Sequence, residues 1–412
     1  MPERETTTCC IAGGGPAGVM LGYLLARAGV RVIVLEKHKD FFRDFRGDTI
    51  HPSTLELMRE LGLLDEFLKL PHQRVPSIGG LFGDYAFTAA DFSHLPVKCK
   101  FIALMPQWDF LNFLSEHGKR FSTFDLRTEH EAVGLLESEG VIKGVRVKTP
   151  QEEIEIAADL VVACDGRHST VRDAAGFKVI DLGVPVDVLW FRISRKSEDS
   201  YQALGRIDYG SMLILINRGD YFQSGLIIRK GAFDSVKEAG IPAFHESLLR
   251  IAPFLGQRVK EISNWDQVKL LSVQINRLRK LYKPGLLCIG DAAHAMSPAG
   301  GVGINLAIQD AVATANILAE PLRAGRVTED LLAKLQERRE FPVRVIQAAQ
   351  ERAHNASLNF LGHPEKAHAP WQMRAFFKIP GIRRIIGLGI GLGVRPEHIH
   401  SPLEKSVIRD TM

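Results

Sequence analysis

Gly13, Gly15 and Gly18 stand in the run Thr8-Cys9-Cys10-Ile11-Ala12-Gly13-Gly14-Gly15-Pro16-Ala17-Gly18, between a short apolar segment and a helical pattern from Ala17 to Ala28. The spacing suits phosphate recognition. The first glycine permits a tight strand-to-helix turn, the second lets the backbone approach a pyrophosphate, and the third lets the helix pack close on the strand. Pro16 and Ala17 open a helix whose N-terminus offers unpaired N–H groups and partial positive charge to an anion. About twenty residues on, a second apolar run ends in Glu36 and Lys37, and such an acid accepts hydrogen bonds from an adenosine ribose. Strand, turn, helix, strand and acid together imply dinucleotide binding, without separating FAD from NAD.

Two later stretches bear on that choice. Asp159-Leu-Val-Val-Ala-Cys164 reads as a buried strand handing Asp165-Gly166 to a turn, with Ser169 placed to cap a short helix reaching Ala175. Gly285-Leu-Leu-Cys-Ile-Gly290-Asp291 repeats the pattern, and a second glycine-rich loop, Pro298 to Asn305, feeds a helix expected from about Leu306 to Glu320. Its backbone N–H groups can stabilise negative charge developing on a ring system. Two such features, so far apart in the chain, suit a long ligand such as FAD better than NAD alone.

The elements that must position these turns follow from apolar periodicity. Pro52 suits the first turn of a helix through Leu61, and Pro106-Gln107 opens another with Phe110, Leu111, Phe113 and Leu114 on its inner face. Residues 71–97 read as an excursion of short strands, and 124–158 as a strand meander punctuated by glycines. From about 177 to 265 aromatic and β-branched strands take over, followed by a helix expected over Ala232–Ile251. Pro342 is expected to kink or divide the long helical pattern that starts at Thr328. The expected domains are 1–75, 98–178 and 268–350 for the nucleotide, 76–97 and 179–267 for the substrate, and 351–412 for a helical tail.

Composition bounds the function classes. A chain of 412 residues, 45% hydrophobic, can bury a sizeable core. Lys+Arg 52 against Asp+Glu 48 argues against a dedicated nucleic-acid binder. Five cysteines without a CxxC pair indicate neither a metal site nor a disulfide framework, and those in apolar runs read as buried small hydrophobes. No signal-peptide core is visible and no apolar stretch reaches the ~18 residues of a membrane span, so a cytoplasmic location is expected.

Taken together, GGGPAG with Glu36, DLVVACDGRHSTVR and GDAAHAMSPAGGVGIN resemble the single-component FAD-dependent aromatic hydroxylases over roughly residues 8–350. The resemblance implies an α/β fold of the para-hydroxybenzoate hydroxylase type: a Rossmann-like FAD-binding lobe, a β-sheet substrate lobe and C-terminal helices. It implies FAD as cofactor and NAD(P)H as transient co-substrate. The implied reaction is O2-dependent hydroxylation of an aromatic, phenolic or quinone-like small molecule through a flavin hydroperoxide, by a monomer or homodimer. By position, Gly13, Gly15 and Gly18 would hold the pyrophosphate and Glu36 the adenosine ribose, with Pro16, Ala17 and Lys37 also cofactor-binding. Arg46 and Gln107 would lie along the flavin chain. Asp165 and Gly166 belong to a motif associated with both FAD and NAD(P)H, framed by Asp159, Ser169 and Arg172. Asp291 would bind the ribitol, Pro298 would line the reactive edge of the ring, Gly301 and Gly303 would be among the cofactor-binding residues, and the Ile304 and Asn305 amides would face the ring's carbonyl.

Asp48 matches an aspartate that phenol-hydroxylase-like members place beside the substrate, where it would help deprotonate a phenol. His51 and His294 read as structural neighbours. The arginine-and-tyrosine set that grips a benzoate carboxylate is missing, and Arg192, Tyr209, Arg218, Tyr221 and Gln223 are unranked substitutes. Two other activities remain open on this scaffold: a geranylgeranyl-reductase-like flavin reductase, and a halogenase, which would carry a WxWxIP signature not found here. The tail from Trp371 to Val394 alternates basic and apolar residues, leaving two readings: a helix covering the active-site lobe, or peripheral contact with a membrane.

Overall fold

A computed structural model describes residues 4–42, 49–199, 205–358, 360–361 and 365–409. Arg46 and Asp48 therefore lie outside the described residues.

The nucleotide lobe is built on a mainly parallel sheet. Its central path runs Tyr282–Lys283, Leu286–Cys288, Glu153–Ala163, Arg4–Ala12, Val32–Glu36, Phe124–Thr128. The middle strands are covered on both faces, which is why Cys9, Cys10, Ile11, Val34, Val161 and Leu287 are all buried and read as continuous apolar runs. Register decides the functional geometry. Ala12 lies opposite both Leu35 and Ala163, and Ala163 lies opposite Cys288. Four parallel strands thus stop level with one another, and the turns that follow them share one edge of the sheet. Helix Pro16–Arg27 lies close on this sheet because Gly22 leaves room for the Val34 and Phe124 side chains.

A second sheet runs Lys269–Leu271, Val186–Ser194, Tyr221–Arg229, Ser211–Asn217, Gly205–Asp208, Ser77–Phe82, Tyr85–Asp91. Side chains alternate with the period of two that a pleat imposes. Leu189, Phe191, Leu213, Leu215 and Leu226 pack under helix Gly240–Ile251. Val188, Trp190, Ile214, Ile216 and Ile227 form the opposite face, joined by Leu104, Ile386 and Ile390.

Several elements differ from their sequence-based expectation. The expected helix over Ala232–Ile251 is two, Phe233–Glu238 and Gly240–Ile251, because Gly240 at φ +85° breaks the helical path. The helix after the second glycine-rich loop starts earlier and runs Val302–Arg323. With the short turn before it, the stretch Ala299–Arg323 is long and apolar enough to cross a membrane, contrary to the sequence reading, but 78% of its apolar window is buried inside the protein. Length and composition there reflect a core helix. Pro342 does not divide the long helix, which is one element, Glu329–Leu358. Arg338 and Arg339, on the turn before Pro342, are each ion-paired to Glu397, which holds that turn in place. The tail forms short helices Trp371–Phe376 and Ile382–Gly391. Residues beyond them return to the nucleotide lobe, where Arg27 donates to the carbonyls of Ser401 and Pro402 at 2.8 and 3.1 Å.

Candidate functional site

The three turns singled out in the sequence meet at the level strand ends. Gly13, at φ +109°, passes so close to the Cys164 carbonyl that a Cβ there would collide with it. Gly290, at φ +60°, sits where an added Cβ would lie 3.2 Å from the Ala17 Cβ and 3.3 Å from the Ala307 Cβ. The first turn therefore touches the second, and the third is wedged between the helices that begin at Pro16 and Val302. Gly18 is equally constrained, since a Cβ would strike the Gly13 carbonyl. Gly15 is different: nothing lies within 4 Å of its missing Cβ, so its backbone faces open space.

The electrostatics of this edge favour an anionic, polyhydroxylated ligand. Helices Pro16–Arg27 and Val302–Arg323 have no side-chain hydrogen bond at their N-caps, Gly15 and Gly301. Their first amides are left for a ligand or water. By contrast, the Ser169 hydroxyl does cap helix Thr170–Ala174, accepting from the Arg172 N–H at 2.9 Å. Glu36 is buried and accepts from the Gly14 and His38 N–H groups at 3.2 and 3.0 Å, which fixes its carboxylate at the turn. Asp165 accepts from the Ser169 hydroxyl at 2.5 Å and the Val171 N–H at 3.1 Å. Burial pushes its carboxyl up, against those bonds. Asp291 lies 3.5 Å from Arg167, linking the second and third turns. Gly166 has φ +88° and open space where a side chain would stand.

The second glycine loop is held from behind. Pro298 is exposed at its start, and Gly300 and Gly301 take positive φ, +77° and +65°. The Thr49 hydroxyl donates to the Gly301 carbonyl at 3.1 Å. Because the helix begins at Val302, Gly303 and Ile304 lie in its first turn, where helix geometry leaves amides without an i−4 partner inside the helix. The buried Asn305 side chain accepts from the hydroxyls of Ser53 and Thr54 at 2.6 and 3.1 Å. Asn305 thus anchors the loop, while Ile304 and Gly303 present donors.

Other positions join the edge less directly. Gln107 opens helix Gln107–Gly118, whose Trp108 ring lies 4.9 Å from Phe42 in the loop after Glu36. The Lys37 ammonium turns outward, 3.8 Å from Glu131. Asp159 is a correction: it is exposed mid-strand, on the order of 15 Å up the chain from Asp165, so it does not frame that turn. Arg172 pairs instead with Asp173 at 2.9 Å. All five cysteines are buried thiols, and burial raises Cys10 to about 12, which leaves it unreactive.

Three features go beyond the sequence reading, which named His51 and His294 only as structural neighbours. The first is a buried ionic rail behind the third turn. Asp310 accepts from the Gly290 N–H at 3.0 Å and lies 2.6 Å from His294 Nε2. Its other oxygen accepts from Arg339 Nε at 2.8 Å, and Arg339 lies 3.3 Å from Glu397. Burial alone would raise the Asp310 carboxyl, but the facing His294 and Arg339 hold it down at about 2. An acid and an arginine inside apolar helical stripes were the available signal. The second is His51, fully buried, whose Nδ1 bonds the Ile390 carbonyl at 2.8 Å. Its Nε2 has no ordinary hydrogen bond among the described residues, although the Gly301 backbone lies near the ring, and burial lowers its basicity. The third is Trp190, whose buried Nε1 also has no partner among the described residues, on the sheet face that carries Ile216 and Ile390. On that sheet Arg218 reaches Gln223 at 3.4 Å, and Arg192 lies 4.9 Å over the Tyr221 ring.

The sequence pattern described as "FAD binding domain" matches residues 5–349. A 6-methylpretetramide 4-monooxygenase of Streptomyces rimosus is 31% identical over 346 residues, covering 81% of this chain and 80% of the relative. A rifampicin monooxygenase of Streptomyces venezuelae is 28% identical over 308 residues, covering 73% of this chain but 61% of that longer relative. The solved structure of p-nitrophenol 4-monooxygenase from Pseudomonas putida DLL-E4 superposes with a TM-score of 0.76 at 20% identity, covering 95% of this chain and 99% of that one. At that identity the likeness is one of fold.

Proposed function

The chain belongs to the FAD-dependent aromatic hydroxylases, and from that premise we propose that it uses NAD(P)H and O2 to hydroxylate an aromatic, phenolic or quinone-like small molecule. One observation carries the reading. Two uncapped helix N-termini and the acids Glu36, Asp165 and Asp291 stand at the level ends of neighbouring strands.

The residues fit FAD. The Gly15 backbone and the amides that open helix Pro16–Arg27, with Ala17 in its first turn, would hold the pyrophosphate. Glu36 would accept from the adenosine ribose, and Asp291 from the ribityl chain. Arg46, which lies outside the described residues, and Gln107 would flank that chain. Asp165, with Gly166, would hold its turn against the cofactor. The loop Pro298–Gly301 and the Gly303 and Ile304 amides would meet the ring. Bound FAD supplies the redox chemistry, accepting a hydride from NAD(P)H and activating O2.

The remaining work falls to the protein. The apolar face that carries Val188, Trp190, Ile214 and Ile216 keeps water from the reacting edge and accepts a flat, apolar ring. Trp190 Nε1 and His51 Nε2 are buried polar atoms at its border, suited to a substrate bearing a carbonyl or hydroxyl. Asp48, outside the described residues, would take the phenolic proton and make the ring carbon more nucleophilic. The reading places the reaction in the cytoplasm, where NAD(P)H is available. The substrate is found by screening for compounds that accelerate NAD(P)H oxidation by the purified flavoprotein. Under 18O2 the product gains one labelled oxygen. Substrate-stimulated anaerobic oxidation of NAD(P)H, with no oxygen incorporated, would assign the site to a reductase instead.

A further inference from the structure

The segment from Lys366 to Pro396 contains Lys366, Arg374, Lys378, Arg383, Arg384 and Arg395 and no acidic residue. Helix Ile382–Gly391 divides cleanly. Gly387 and Gly391 approach the Asp91 carbonyl and the Phe92 and Leu95 side chains closely, and Ile386 and Ile390 join the apolar cluster on the second sheet. A stacked pair, Phe87 and Phe377 with centroids 5.2 Å apart, ties the preceding turn to strand Tyr85–Asp91. This segment is fixed to the protein, and its outer face is still apolar. Trp371 is 74% and Ile385 67% exposed, with Phe376, Ile379 and Leu388 exposed beside them.

Exposed aromatic and aliphatic side chains edged mostly by cations are the composition of a helix that lies in a bilayer interface. We propose that Trp371–Gly391 docks this enzyme on an anionic lipid surface, with Trp371, Phe376, Ile379, Ile385 and Leu388 entering the headgroup boundary and Arg374, Lys378, Arg383 and Arg384 meeting lipid phosphates. Of the cations around it, Lys366 is neutralised by Asp84 at 2.6 Å and Arg384 lies near Asp91. Charge argues for lipid over a second copy of the chain, because a two-fold contact would set this cationic face against itself. The surface continues inward: the helix that carries Ile385 and Leu388 outward also gives the Ile390 carbonyl to His51.

The FAD-loaded protein is mixed with vesicles of phosphatidylcholine alone or with phosphatidylglycerol and sedimented. It should pellet with the mixed vesicles, release as salt rises, and show a blue shift of tryptophan emission that Trp371→Phe removes. The double variant Ile385→Glu, Leu388→Glu should bind roughly tenfold more weakly or worse, with flavin content and turnover of a soluble substrate unchanged. Arg383→Gln with Arg384→Gln should lose about fivefold per charge on anionic vesicles only. Equal sedimentation of wild type and the glutamate variant, or none by either, overturns the proposal. So does a concentration-dependent dimer that the glutamate variant abolishes while vesicles bind neither protein. These readouts do not involve hydroxylation, so they fail or succeed apart from the reaction assignment.

Discussion

The nucleotide lobe and the sheet lobe bury apolar strands equally well, yet they expose polar chemistry in different ways. At the strand ends of the first, the groups on offer are backbone: glycines where no side chain fits, and helix amides left uncapped. On the second sheet the polar groups are side chains, Trp190, Arg192 and Gln223, set in an apolar face. Backbone recognition is intolerant of substitution, while a sheet face can be rebuilt for a new ring. The contrast teaches why one fold serves many substrates with one cofactor.

The largest expected difference between the two regions comes from their buried ion pairs. Asp310→Ala removes one of the two carboxylates that Arg339 faces, leaves His294 Nε2 without its partner and frees the Gly290 amide, so it should cost about 3 kcal/mol and release FAD. Asp199→Ala, which breaks the paired Arg258 contact of the sheet lobe at 2.9 Å, should cost about 2 kcal/mol with FAD retained. Urea melts and the flavin absorbance of both variants check this, and equal flavin loss would erase the contrast.

Next in size is Gly13→Ala, whose Cβ meets the Cys164 carbonyl at a positive φ; FAD affinity should fall at least about tenfold. Gly183→Ala, at φ +66° with open space around it, should lose about 1 kcal/mol of stability and no FAD affinity. Asp48→Ala should leave FAD bound and slow turnover of phenols by about a hundredfold, most at low pH. Unchanged turnover in stopped-flow assays would remove Asp48 from the reaction.

The last expected effect appears only at acid pH. Asp310 titrates at about 2 in the folded protein and about 3.9 unfolded. Its contribution is present above pH 4 and is lost as pH falls through about 2, a difference of roughly 2–3 kcal/mol. Asp310→Asn should flatten the acid limb of a stability-against-pH curve in that window, and an unchanged limb would show that the rail does not govern it.

The sequence disclosed the backbone-built half of this site because glycine spacing has few meanings: Gly13, Gly15, Gly18 and Glu36 occupy the positions their order implies. It also placed Ser169 as a cap, since a hydroxyl before a helical run has one local use. Asp159 was misjudged because an acid in a strand looks the same whether it frames a turn or faces solvent. The contacts of His51, though not its structural character, and the Asp310–Arg339–Glu397 rail were illegible for another reason. Their partners come from Ile390, from the third turn and from a segment past residue 390, and no local pattern encodes contacts of that range. On the sheet face, alternation is identical for a core and for a pocket, so Trp190 could not be told from its neighbours.

The account turns on whether one long cofactor is gripped by all the turns at once. A crystal structure of the purified protein with FAD tests this most directly. The account predicts the pyrophosphate at Gly15, the ribityl chain at Asp291 and the ring against the backbone of residues 298–304. A colourless protein that takes up no added FAD, or a ring bound away from those residues, would contradict it.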